Sequence, residues 1–211
     1  MRKLQKTPIE IEVKLRITDL RAMLARLGRI GAISHGRVLE QNTLFDTPDS
    51  DLWRNGRLIR LRIESPASGH GLPGGEAKAV LTAKAPPPAN TESSRNRPSR
   101  YKERDEREVL LPDPARFLRN LTALGLRPGF RYEKFRTSFV YRGLHLDLDE
   151  TSVGIFLELE GKPAAIDRAA KALGFSLGDY LRATYWDLYA ADCRRRHIKP
   201  KNTLLTSQKT R

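Results

Sequence analysis

Glu10 and Glu12 stand two residues apart, and Lys14 follows two residues later. A β-strand points alternate side chains to opposite faces, so these three share one face and Ile9, Ile11, Val13, Leu15 and Ile17 the other. Paired carboxylates are ligands for hard divalent cations; lysine and arginine are ligands for phosphate oxygens. One such strand alone is what any half-exposed strand shows, with water on its polar face. Here the pattern recurs. Arg60, Arg62 and Glu64 alternate with Ile59, Leu61 and Ile63. His145, Asp147 and Asp149 alternate with three leucines, and Glu158 and Glu160 with Ile155, Leu157 and Leu159. Lys134 and Arg136 stand two apart, as do Thr82 and Lys84, while residues 104–108 are charged on both faces, as at a rim. The signs also segregate: Glu10/Glu12 and Glu158/Glu160 are acidic pairs, Arg60/Arg62 and Lys134/Arg136 basic ones. Like charges two apart on a face repel, and a surface built only for solubility mixes them.

To act together these faces must meet. A sheet whose apolar side is covered by helices and whose charged side curls inward presents both sets of residues to one cavity. A triphosphate fits such a cavity, because Lys and Arg replace its hydration while Mg²⁺ or Mn²⁺ bridges its oxygens to carboxylates and polarises the phosphoryl group. The periodicity predicts strands at 9–17, 38–46, 58–64, 79–84, 104–111, 132–141, 144–148 and 155–161, with Arg142-Gly143 as a tight turn. It predicts helices at 18–27 (Thr18 or Asp19 as N-cap, Gly28 as stop), 114–124 ended by Gly125, 164–173 ended by Gly174, and 177–195. Residues 65–76 and 85–99 are rich in Gly, Pro and Ser and read as long rim loops.

The chain has 211 residues and a formal net charge of +14, with a pI near 10.3. Such a balance suits a polyanionic partner. Half of the excess lies in Arg194, Arg195, Arg196, Lys199, Lys201, Lys209 and Arg211, a stretch with no acidic residue. The expected organisation is one folded domain over 1–196 and a basic, disordered tail over 197–211. Nucleic acid is an expected partner only through that tail. With Cys193 alone there is no internal disulfide, and no apolar run is long enough to span a membrane. The N-terminus lacks the apolar stretch of a secretory signal, which leads to the expectation of a soluble, cytoplasmic protein, monomeric or homodimeric. His35, His70, His145 and His197 have no metal spacing, and Gly71, Gly74 and Gly75 form no phosphate loop. Trp53 and Trp186 read as packing residues, with Trp53 placed to stack a ring if it lies at a rim.

Taken in order, these segments resemble the CYTH domain family, the triphosphate tunnel metalloenzymes that include class IV adenylyl cyclases and thiamine triphosphatases. The family's E-x-E-x-K is matched by Glu10, Glu12 and Lys14, its aromatic-Asp-Thr by Phe45-Asp46-Thr47, and its L-R-x-R by Ile59-Arg60-Leu61-Arg62. Leu81-Thr82-Ala83-Lys84-Ala85-Pro86, then Arg104, Glu106 and Glu108, then Lys134 and Arg136 follow in family order; Asp149, Gly154, Phe156, Glu158 and Glu160 close the series. The resemblance implies an α+β fold: a closed antiparallel β-barrel of about eight strands with helices packed outside. It implies that Glu10, Glu12, Asp149, Glu158 and Glu160 serve Mg²⁺ or Mn²⁺, with Glu106 and Glu108 as further contributors. It implies that Lys14, Arg60, Arg62, Lys84, Arg104, Lys134 and Arg136 hold the phosphates, and that Lys14, with Glu10 and Glu12, is central to catalysis. Hydrolysis of a terminal phosphate, cyclisation of ATP to cyclic AMP and pyrophosphate, and non-catalytic polyphosphate or RNA binding all remain open at this point.

Overall fold

A computed structural model describes residues 9–67, 76–88 and 99–205. Eight antiparallel strands close into a barrel: β1 (Ile9–Ile17), β2 (Ile33–Asp46), β3 (Leu58–Pro66), β4 (Lys78–Ala85), β5 (Lys102–Leu110), β6 (Arg127–Tyr141), β7 (Leu144–Thr151) and β8 (Gly154–Glu160). Around the ring they run β1-β5-β4-β3-β2-β6-β7-β8, so β2 stands four places from β1, on the opposite wall. The β6–β7 hairpin turns at Arg142 and Gly143 with φ of 49° and 78°, the mirror-image turn whose twist matches that of its strands.

The apolar residues lie outside the barrel. Val13 and Leu15 of β1, Leu146 and Leu148 of β7, and Leu157 and Leu159 of β8 are fully buried beneath α1 (Leu20–Arg29) and α4 (Pro163–Ala172), which contribute Met23, Leu27, Ile166, Ala169 and Ala170. Each such leucine contributes roughly 1.5–3 kcal/mol by leaving water. A smaller cluster joins Phe45, Leu61 and Ala79 to Leu121 of α3 (Pro114–Ala123). With both clusters outside, alternation sends the charged residues inward. The two remaining helices are α2 (Asp51–Arg54) and α5 (Tyr185–Arg195). Among the described residues no helix is long and apolar enough to cross a membrane.

Several boundaries differ from the sequence expectation. β2 begins at Ile33 rather than at 38, and β6 at Arg127 rather than at 132; further differences lie at helix ends and in the tail. Gly28 does not stop α1. The Asp19 carboxylate caps it by accepting from the Ala22 N–H at 2.9 Å, and it runs on to Arg29. It ends because Gly31 adopts φ 80°, which lets the Ala32 N–H reach the Leu27 carbonyl at 3.0 Å. The single helix expected over 177–195 is broken. Leu181 forms an antiparallel bridge to Lys14, with N–H···O distances of 3.2 and 2.8 Å, and this extended step separates a short 3₁₀ turn at Leu177–Asp179 from α5. Thr184 and Asp187 then form a reciprocal cap that starts α5. The tail expected to be disordered from residue 197 on is laid against β6 at Thr203, which pairs with Tyr132; residues 206–211, like most of the two rim loops, lie outside the described residues.

Candidate active site

The barrel encloses a cavity of about 720 Å³. Strands β8, β1 and β5 are neighbours, and their inward residues form an acidic wall of Glu158, Glu160, Glu10, Glu12, Glu106 and Glu108. Facing them, β3 and β6 flank β2 and place Arg60, Arg62, Lys134 and Arg136 on a basic wall. Lys14 and Lys84 also line the cavity. Closure of the ring thus turns the sign segregation of single strands into two opposed walls.

Most of these charges meet an opposite one. Lys14 donates to Glu158, and its ammonium lies 4.4 Å from the centre of the Tyr185 ring. Lys84 reaches Glu10 at 2.8 Å and Glu106 at 2.9 Å. Arg136 is a hub, bonded to Asp147 at 2.8 Å, Asp149 at 2.6 Å and Glu158 at 2.5 Å, and Lys134 joins Asp149 at 2.8 Å. Arg60 shares Thr82 and Glu108, and Arg62 meets Glu64 at 2.8 Å. These pairs are buried or half-buried, where attraction must offset a large desolvation cost.

Two residues singled out in the sequence are placed elsewhere. Arg104 shares the parity of Lys102 and Glu106 yet is not among the residues lining the cavity; its guanidinium donates to the Glu103 carbonyl at 3.4 Å. In the β1–β5 register Arg104 stands opposite Glu10. Lys102 takes the inward position and reaches Glu12 at 2.5 Å. Asp149 is 0% exposed and sealed beneath the cavity, where it accepts from Lys134, Arg136 and the Tyr185 hydroxyl, the last at 2.6 Å. These donors occupy both carboxylate oxygens, so Asp149 pairs with the cations of the basic wall.

Glu40 escaped the sequence reading. It is 1% exposed on β2 and lies between Lys134 at 3.3 Å, Arg136 at 3.6 Å and Arg62 at 3.7 Å. Burial opposes its ionisation, but those cations outweigh burial and hold it down to about 2. The alternation that marked β1 gave no warning here, because Gln41 and Thr43 make the outer face of β2 polar too. Tyr185 extends from α5 across the floor, and burial, with Asp149 and Glu158 beside it, pushes its hydroxyl well above the usual tyrosine range. At one end of the cavity Trp53, Phe130, Tyr132 and Trp186 form an aromatic group, with Phe130 and Trp186 rings 4.8 Å apart. Asp46 fixes Trp53 there by accepting the N–H groups of Leu52 at 2.9 Å and Trp53 at 3.0 Å.

Among the described residues no three His, Cys, Asp or Glu side chains converge as a ready metal cage. The donor chemistry on the acidic wall nonetheless suits a hard divalent cation. Burial, with Glu12 and Glu106 alongside, pushes Glu10 up to about 8 despite Lys84, and burial, Glu106 and Glu12 raise Glu160 as well. Burial and the neighbouring carboxylates raise both groups, and at Glu10 the nearby Lys84 does not offset them.

A pH effect follows. The folded chain keeps the Glu10 proton up to about pH 8, whereas an unfolded glutamate releases it near 4.5. Between those values the unfolded state binds fewer protons, so rising pH favours unfolding. The stabilisation is complete below the unfolded value and is lost as pH rises through the folded one. The ligand-free melting temperature is expected to fall less steeply between about pH 5 and 8 in Glu10→Gln than in the wild type. Parallel melting curves would contradict the assignment.

An eight-stranded tunnel with opposed acidic and basic walls defines a protein built to hold a strongly anionic ligand. The sequence matches the CYTH domain over residues 8–185, and the chain belongs to that family. Solved structures share the fold. The PH1819 protein from Pyrococcus horikoshii OT3 is 21% identical, covering 87% of this chain and 99% of its own, with a TM-score of 0.67. A proposed adenylate cyclase from Vibrio parahaemolyticus is 18% identical, covering 88% and 99%, with a TM-score of 0.69. HpAC1 from Hippeastrum, a proposed adenylyl cyclase with a dominant triphosphatase activity, is 19% identical, covering 90% and 97%, with a TM-score of 0.57. Comparison with curated protein sequences finds no match.

Proposed function

We propose that this chain is a divalent-metal-dependent triphosphatase that releases the terminal phosphate of inorganic triphosphate or of an organic or nucleoside triphosphate. The opposition of an acidic wall on β8-β1-β5 to a basic wall on β3-β2-β6 carries this reading. A phosphate binder that used no metal would gain nothing from six glutamates opposite its cations.

The ion pairs suggest how the site is loaded. Lys14, Lys84, Arg60 and Arg62 exchange carboxylate partners for phosphate oxygens, while Lys134 and Arg136 keep Asp149 and offer their remaining N–H donors to the phosphates. Glu10, Glu12, Glu106, Glu158 and Glu160 would hold Mg²⁺ or Mn²⁺ once their cations turn to the phosphates. Anion and cation enter together, and no buried charge is left unpaired. The metal, when bound, supplies Lewis-acid polarisation of the phosphoryl group. Lys14, set between Glu158 and the Tyr185 ring, is the residue placed to orient the attacking water or the transferred phosphoryl. Asp149, Glu40 and Tyr185 hold Lys134 and Arg136 in place and touch no substrate.

The aromatic group around Trp53 and Trp186 favours a second reading, in which an adenine ring stacks there and the ribose hydroxyl attacks the α-phosphate. Product analysis after incubation with ATP and Mg²⁺ or Mn²⁺ separates the two. Release of ADP and phosphate supports the triphosphatase. Cyclic AMP with pyrophosphate establishes a class IV cyclase instead, and tight binding of both ATP and inorganic tripolyphosphate without turnover of either refutes both in favour of a polyphosphate or RNA binder.

A further inference from the structure

Strand β6 is longer than one of its neighbours. β2 pairs with it over Arg127–Val140, but β7 pairs only over Lys134–Tyr141. Residues 127–133 therefore have no strand partner on the β7 side, and this overhang carries Phe130 and Tyr132 into the cavity. An open edge leaves backbone N–H and C=O groups that need partners. The chain's own C-terminal segment supplies them. After α5, His197 turns the backbone with φ 55°, and the Lys201 N–H donates to the Tyr189 hydroxyl at 3.0 Å. Thr203 then pairs in parallel with Tyr132: the Glu133 N–H donates to the Thr203 carbonyl at 2.8 Å, and the Thr203 N–H to the Arg131 carbonyl at 2.9 Å. The Arg131 N–H is taken by the Asn202 side-chain oxygen at 3.0 Å, and the Leu205 N–H by the Glu133 carboxylate at 2.8 Å. Thr203 is only 9% exposed, within a segment whose composition reads as a solvated tail.

The same segment touches both halves of the aromatic end. Lys201 is bonded to α5, which carries Trp186, and Thr203 to the strand that carries Phe130. Phe130 itself stacks on Tyr189 with centroids 5.6 Å apart. We infer that residues 201–205 are a positioning strap that fixes α5 against the β6 overhang and thereby sets the mouth receiving the non-phosphate part of a substrate. The substrate side of this inference rests on the triphosphate reading above; the strap's contacts do not. Lys134 and Arg136 lie beyond the overhang, where β7 flanks β6, so the grip on phosphate does not depend on the strap.

The full chain is compared with a chain ending at Pro200 and with Asn202→Ala/Thr203→Pro, which keeps the length but removes the Asn202 acceptor and the Thr203 N–H. Hydrogen exchange at the Glu133 and Arg131 amides is expected to quicken at least about tenfold in both. The Kd and KM for ATP are expected to rise about tenfold, while those for inorganic tripolyphosphate and kcat for either stay within about twofold. Unchanged exchange, or equal losses for both ligands, overturns the inference and leaves a brace for stability alone. Should the truncated chain fail to fold, the full-length double variant gives the same readings. A wild type that binds ATP and tripolyphosphate without turning over either refutes the proposed reaction while the Kd comparison still tests the strap; a wild type that binds neither ligand overturns both.

Discussion

Replacing Asp149 by alanine is expected to lower the free energy of unfolding by about 3–5 kcal/mol, the range found when one partner of a buried ion pair is removed. Asp149 is fully buried and accepts from Lys134, Arg136 and Tyr185. Without it, two buried cations lose their shared counter-charge, and the tyrosine hydroxyl loses its acceptor. Glu40 and Glu158 still approach those cations, which keeps the loss from running higher. Asp149→Asn should recover part of the stability: its carbonyl oxygen still accepts, but its amide presents donors to the Arg136 fork. Denaturant unfolding of the three proteins checks this. An Asp149→Ala variant as stable as the wild type would show that the basic wall does not depend on the carboxylate beneath it.

Glu10→Gln is expected to act in the opposite sense. Metal-dependent turnover should drop by about a hundredfold, as when a charged group that acts in the transition state is removed. Stability near pH 8 should hold or rise, because the variant removes a carboxyl group whose ionisation is opposed first by burial and then by Glu12 and Glu106. Lys84 loses one of two carboxylate partners but keeps Glu106 at 2.9 Å. A residue whose removal improves the empty fold and ruins activity is one kept for its ligand. Steady-state rates and thermal melts on the same preparation give both signs, and full activity in this variant would sink the metal assignment.

All eight strands were legible in the sequence, and on four of them the inward face was legible too, because their outer faces are apolar. On β1, β3, β7 and β8, aliphatic residues alternate with charges, and the hydrophobic core outside the barrel fixes which face turns in. Where the outer face is itself polar, the signal vanished. Glu40 and Asn42 point away from the solvent beside exposed Gln41, and nothing in their spacing distinguished them from a solvated strand. Lys102 was missed because charges on both faces of β5 hid its start. Arg104 has the same parity and does not line the cavity, because parity names the face a side chain leaves from and not where its charged end goes. Tyr185 and Thr203 were out of reach for another reason: their partners are 36 and 71 residues away in sequence, at Asp149 and Tyr132, and no local periodicity reports on such pairing. Opposed walls became visible only with the strand order, since β2 must stand across from β1 before the cations of its neighbours face the carboxylates.

The most direct test of the triphosphatase proposal is phosphate release from inorganic tripolyphosphate, a substrate with no organic part, measured with Mg²⁺ or Mn²⁺ and again with the metal chelated. The proposal predicts steady release of one phosphate per tripolyphosphate with metal and none without it. Release that is indifferent to chelation, or no release at any metal concentration from a chain that is folded, would contradict it.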